Sequence, residues 1–143
     1  MTACVLDASV AAKWFFSPEQ ETLVTEARRL LADYVGGKLR LLVPDLFWVE
    51  IGNIIWKSAR RGRISPQSAG EAIDALLETN IPTIRSEPLL KDAFAIATRF
   101  NRTVYDAVYV ALAFARDAPL VTADERLANA LAARAPVRWL GAL

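Results

Sequence analysis

Two rhythms of apolar residues alternate along this chain. Short continuous runs read as buried strands: "ACVL" before Asp7, "LRLLVP" from Leu39, "PLVT" from Pro119 and "VRWL" from Val137. "IPTI" from Ile81 is a weaker strand, and its Pro82 suits the edge of a sheet. Between these runs the apolar positions return at helical spacing. "SVAAKWFF" predicts a short helix. In "SPEQ", Ser17 is placed as an N-cap, Pro18 as the first helical residue and Gln20 as the capping-box partner. Leu23, Ala27, Leu30, Leu31 and Tyr34 follow, and Gly36 and Gly37 end that helix. Asp45 is expected to cap a helix through "LFWVEIGNIIWKSARR", ended by Gly62. "SPQS" caps another, carrying Ala72, Ile73, Leu76 and Leu77. Leu89 to Phe100 is helical. "TVYDAVYVALAFA", from Thr103, is a helix apolar almost all the way round, and "ADERLANALAAR" is the last one.

Strands alternating with helices predict a parallel sheet covered on both faces. No linker, repeat or low-complexity stretch interrupts the pattern. The expectation is one α/β domain over residues 1–143, an α/β/α sandwich with a central parallel sheet of four to five strands.

Composition narrows the chemistry. With 54% hydrophobic and 23% charged residues, the 143-residue chain has enough apolar material for a full core. No apolar run nears the ~18 residues of a membrane span, so no membrane partner is expected. The N-terminus lacks the basic region of a signal peptide. Cys4 is the single cysteine, and a cytoplasmic location is the simplest expectation. There is no histidine, which removes the usual general base and the usual zinc ligand. A metal here would be held by oxygen, which points to Mg²⁺ or Mn²⁺.

Four acids fall where such a metal would sit. Asp7 follows the first strand, and Asp124 comes just past the fourth. The helix carrying Asp106 leads into that strand and should run antiparallel to it, so its N-terminus returns to the same edge. Glu50 lies in the first turns of the helix after the second strand. In open parallel sheets, sites form at the carboxyl ends of the strands. Each acid also has an ordinary structural role open to it. Asp7 can cap the next helix. Asp106 can pair with Thr103 in a capping box. Asp124 can fill a turn while Thr122 and Glu125 form a capping box. Glu50 can face water on a polar stripe with Asn53, Lys57 and Arg60. Four converging carboxylates would repel and raise one another's pKa values. Only Arg126 lies close to any of them in sequence, so a divalent cation is the expected neutraliser. With four acids so committed, 17 basic residues face 12 remaining acids, a formal +5 suited to a polyanion.

The segments "VLDASVAAKW", "VPDLFWVEIGNIIWKSARRGRIS", "TVYDAVYVALA" and "PLVTADERL" resemble, in order and over nearly the whole chain, the PIN-domain ribonucleases. The likeness is greatest to the VapC-type toxins of toxin–antitoxin pairs. The resemblance implies an endoribonuclease with an acidic Mg²⁺/Mn²⁺ site. Asp7, Glu50, Asp106 and Asp124 would form the acid quartet, with Asp7 and Asp106 as direct ligands. Ser9 and Thr122 would support the site through hydrogen bonds, with Asn53 one turn beyond Glu50. It also implies an RNA substrate, a homodimer and a cognate VapB-type antitoxin. The reaction would be metal-assisted hydrolysis of an RNA phosphodiester, with one or two metals.

Other features leave alternatives open. Arg60, Arg61 and Arg63 suit RNA, an antitoxin or a solvated helix end. Trp14, Phe15 and Phe16 suit an antitoxin groove, RNA base stacking, a homodimer contact or plain packing. Trp48 and Trp56 are placed on one helix face, as core or dimer contact. A haloacid-dehalogenase-type phosphatase would need an acid where Ser9 stands. A receiver domain would need a lysine after a late strand, and the last lysine is Lys91. A nuclease acting on DNA, and a catalytically silent RNA- or protein-binding module, use the same fold.

Overall fold

The computed structural model describes residues 2–143. Five strands, β1 (Thr2–Leu6), β2 (Leu39–Pro44), β3 (Thr83–Ile84), β4 (Leu120–Thr122) and β5 (Val137–Trp139), form one sheet in the order β3-β2-β1-β4-β5. Every pairing is parallel. Seven α-helices connect them: α1 (Ala8–Ala11), α2 (Val24–Val35), α3 (Leu46–Arg60), α4 (Pro66–Glu78), α5 (Leu90–Phe100), α6 (Val104–Arg116) and α7 (Glu125–Leu131). All five expected strands form. β3 has two residues and lies at the sheet edge, where Pro82 costs no ladder bond.

Two crossovers run outward from β1 to β2 and β3, and the chain then returns to β4 and β5 on the other side of β1. With right-handed crossovers, this reversal puts helices on both faces of the sheet. It also leaves a crevice between the carboxyl ends of β1 and β4, where ligands bind in open α/β sheets. α6 packs against β1, β2 and β4 and is buried continuously from Ala107 to Ala113, so the all-round apolar stretch is the central helix of one face.

Several helix starts differ from the sequence reading. Ser17 and Gln20 do pair, with Gln20 Oε1 accepting from Ser17 N at 3.1 Å, but they close a turn. The helix begins later, at Val24, because Leu23 takes a left-handed φ of 59°. Asp45 holds the N-cap position of α3 but makes no cap bond there; its carboxylate accepts from Ser86 N, 41 residues away. Asp124, not Thr122, caps α7 through Leu127 N at 3.1 Å. Ser65 caps α4 as expected, but Leu77 is exposed on it. Trp48 and Trp56 part company. Trp48 is half-buried, donates to Thr83 Oγ1 and packs edge-on to Phe47, whereas Trp56 is exposed beneath Arg60. Eight residues at 3.6 per turn leave a rotation of about 80°, too far for one face.

Candidate active site

Asp7 is the first residue past β1, and its backbone N–H continues the sheet ladder by donating to Val121 O at 3.1 Å. That bond fixes where its side chain leaves the sheet. Its Oδ2 accepts from Ser9 Oγ at 2.7 Å and from Thr122 Oγ1 at 2.7 Å. Thr122 ends β4 and is fully buried. Ser9 Oγ accepts from Ala123 N, and Thr122 Oγ1 from Asp124 N, both at 3.1 Å. Two hydroxyls thus tie the exits of β1 and β4 together through one carboxylate. Desolvation raises the Asp7 pKa above the ordinary carboxylate value, and Asp106 adds to it, although the hydroxyl bonds oppose the rise.

Glu50 projects from α3 towards the same place. Its Oε1 is buried without a hydrogen-bond partner, as is the hydroxyl of neighbouring Tyr109 on α6. Burial, then the charges of Asp7 and Asp106, push the Glu50 carboxyl up to about 7, although the nearby Tyr109 hydroxyl opposes the rise. A carboxylate facing water on a polar stripe would show none of this. Tyr109 is raised in turn, first by burial and then by Asp7 and Glu50. Nothing in the sequence marked Tyr109 beyond its place on the apolar helix.

Asp106 lies in the first turn of α6, whose N-cap Thr103 accepts from Asp106 N at 3.1 Å. The capping role of Thr103 therefore engages the backbone of Asp106 and leaves its carboxylate free for other contacts. That carboxylate meets a cation absent from the sequence reading: Arg102 Nη2 stands 3.4 Å from Asp106 Oδ2 and 3.8 Å from Asp124 Oδ2. The i,i+4 spacing of Arg102 and Asp106 was the available signal. Arg126 is exposed and forms no ion pair among the described residues. Asn53 is exposed on α3 and joins none of these bonds.

The acids therefore fall into two halves. Asp7, Glu50 and Asp106 sense one another's charge, while Asp124 joins through Arg102. Among the described residues, no three of them already stand as a closed ligand set. Their chemistry nonetheless fits a hard divalent cation: the donors are all oxygen, and a buried Glu50 oxygen lacks any partner.

Beside Ser9 opens a cleft of about 190 Å³, lined by Lys13, Phe16, Glu21, Ile54 and Arg63. Glu21 accepts from Lys13 Nζ at 3.1 Å and from Arg63 at 2.9 Å, and the Arg63 guanidinium lies 4.4 Å from the Phe16 ring centre. Arg63 is thereby tied into the wall of this cleft. Trp14 is core, donating Nε1–H to Ala27 O, and Phe15 is half-buried. A larger cavity of about 620 Å³, between α7 and β5, holds none of the four acids.

Residues 4–131 match the family model for the PIN domain. The chain belongs to the PIN-domain family. This PIN domain is 35% identical over 127 residues to "Ribonuclease VapC3" of Pyrobaculum aerophilum, covering 87% of this chain and 92% of the relative. Among solved structures, PAE2754 from the same organism superposes with a TM-score of 0.72 at 22% identity, covering 99% of this chain and 91% of the other. A DNA-bound VapBC from Salmonella typhimurium superposes with a TM-score of 0.63 at 14% identity, covering 98% and 99%.

Proposed function

We propose that this PIN domain is an endoribonuclease of the VapC type, the toxin of a toxin–antitoxin pair, and that Asp7, Glu50, Asp106 and Asp124 are its metal-binding and catalytic acids. The observation that carries the reading is the desolvated Glu50 carboxyl beside Asp7 and Asp106, its buried oxygen short of a full hydrogen bond and near only the Tyr109 hydroxyl. Carboxylates so gathered, with only Arg102 against Asp106, are destabilising on their own. Such a cluster is expected where a cation completes it.

Asp7, Glu50 and Asp106 would hold a Mg²⁺ or Mn²⁺ ion, with Asp124 at the rim. A divalent ion so held lowers the pKa of bound water and offsets charge on the phosphoryl group. The chain's own residues do the rest. Ser9 and Thr122 fix the Asp7 carboxylate in one orientation. Glu50 would meet the ion directly or through water, and its carboxyl would orient the attacking water. Water attacks phosphorus in line, the P–O3′ bond breaks, and the 3′ oxygen leaves with a proton. The products are a 5′-phosphate and a 3′-hydroxyl. Without histidine, the 2′-hydroxyl route lacks its usual acid and base.

The reading extends to partners. Similarity to VapC and VapBC proteins supports a cognate antitoxin, and a homodimer is proposed with it. No helix among the described residues is long and apolar enough to cross a membrane. Cys4 is buried with its thiol pushed up to about 11, which leaves it unreactive; a cytoplasmic location is proposed with the toxin reading.

The test is cleavage of total RNA with Mg²⁺, Mn²⁺ or EDTA, with both new ends mapped. Metal-dependent cuts leaving 5′-phosphates support the reading. A 2′,3′-cyclic phosphate, or cutting in EDTA, refutes the hydrolytic mechanism. RNA binding without cutting favours the silent binding module.

A further inference from the structure

We propose that Arg102 stands in for a second metal ion, so that the site takes one divalent cation and not two. The proposal rests on the four-acid reading above and goes beyond it in assigning a role to a residue outside the quartet.

One nitrogen atom carries the argument. Arg102 Nη2 lies within 4 Å of carboxylate oxygens from two separate elements, Asp106 on α6 and Asp124 at the start of α7. A positive group there sees both carboxylates at once, as a bridging metal would. The guanidinium is always charged. A dication on the same pair of oxygens would be forced against it. The other half of the site has no such occupant: among the described residues, no cationic side chain pairs with Asp7 or Glu50. The negative charge left uncompensated is therefore on the Asp7–Glu50 side, with Asp106 shared between the halves.

Arg102 is also built into place. It lies in the tight turn between α5 and α6. Asn101 takes a left-handed φ of 53°, Arg102 N donates to Ala97 O at 3.1 Å, and Thr103 caps the next helix. The side chain is only 23% exposed. Its Nε–H is buried with no acceptor, which hydrogen bonding alone would not favour. The guanidinium lies inward all the same, with Nη2 between Asp106 and Asp124. Arg102 is thus a positioning residue that sets how many metal ions enter.

The test counts ions without using activity. Mn²⁺ is titrated into the full chain, and free Mn²⁺ is read by electron paramagnetic resonance. Wild type should bind one Mn²⁺ per chain. Arg102→Ala and Arg102→Gln should each bind a second, weaker one, and Asp124→Asn added to either should abolish it. Two ions on wild type overturn the proposal while leaving the four-acid reading intact, and this result needs no variant to fold. A single ion on folded variants overturns it as well. No ion on wild type removes the reading beneath it.

Discussion

Thr122 Oγ1 donates to Asp7 Oδ2 at 2.7 Å across 115 residues of sequence. The bond joins the carboxyl ends of β1 and β4 at the point where the strand order reverses. Thr122 is fully buried, so a valine there would fill the space but leave a buried carboxylate oxygen short of a donor. Thr122→Val should destabilise the protein by about 1–3 kcal/mol, whereas Thr122→Ser keeps the hydroxyl and most of the stability. Denaturant melts of the three proteins check this. Loss in Thr122→Ser with Thr122→Val unaffected would mean that the methyl group, and not the bond, matters.

Glu50 gives a pH dependence of fixed sign. Burial and the neighbouring charges push the Glu50 carboxyl in the folded protein up to about 7, against an ordinary value of 4.5 in the unfolded chain. Between these values the folded state binds more protons, so metal-free stability falls as pH rises through the window and returns on acidification. Asp7, also raised, acts in the same direction. Glu21 and Asp45 are lowered, so their contribution is lost only at more acidic pH. Glu50→Gln should therefore be more stable than wild type in EDTA above the window and indistinguishable from it below. Thermal melts at both ends check this. A variant less stable than wild type above the window would contradict it.

Asp124 has two tasks that substitution can separate. Its Oδ1 caps α7, while its Oδ2 faces Arg102. Asparagine caps as well as aspartate, whereas alanine loses about 1 kcal/mol. Asp124→Asn should melt like wild type yet lose RNA cleavage, and Asp124→Ala should lose both. An Asp124→Asn enzyme of full activity would leave this residue as a cap only.

Metal removal supplies a further check. Mn²⁺ should raise the melting temperature over EDTA, by the equivalent of about 2.7 kcal/mol at a hundredfold excess over Kd. Asp106→Asn should begin more stable without metal and gain little from it. Its ion pair with Arg102 is partly exposed and loose at 3.4 Å, so losing that pair costs little. Equal gains in the two proteins would place the metal elsewhere.

The sheet, the buried Asp106 helix and the strand-end positions of Asp7 and Asp124 were legible in the sequence because periodicity reports them directly. What escaped depends on contacts between distant segments or on single backbone angles. Leu23 in a left-handed conformation delays α2, although Ser17 and Gln20 look like its cap. Asp45 reaches Ser86 through a fold that local pattern does not encode. Arg102 was hidden differently. It is one turn before Asp106, outside the acid's immediate sequence neighbours, and its reach to Asp124 exists only after β4 is in place. Asp106 therefore has a cation beside it already, supplied by the chain itself.

The most direct measurement is cleavage of total RNA in Mn²⁺ by wild type and by Asp7→Asn, both confirmed folded by circular dichroism. Wild type should cut only with metal, and the variant should be slower by about 10²-fold or more. Equal cleavage by the two proteins, or cleavage by wild type in EDTA, would contradict the four-acid metal site.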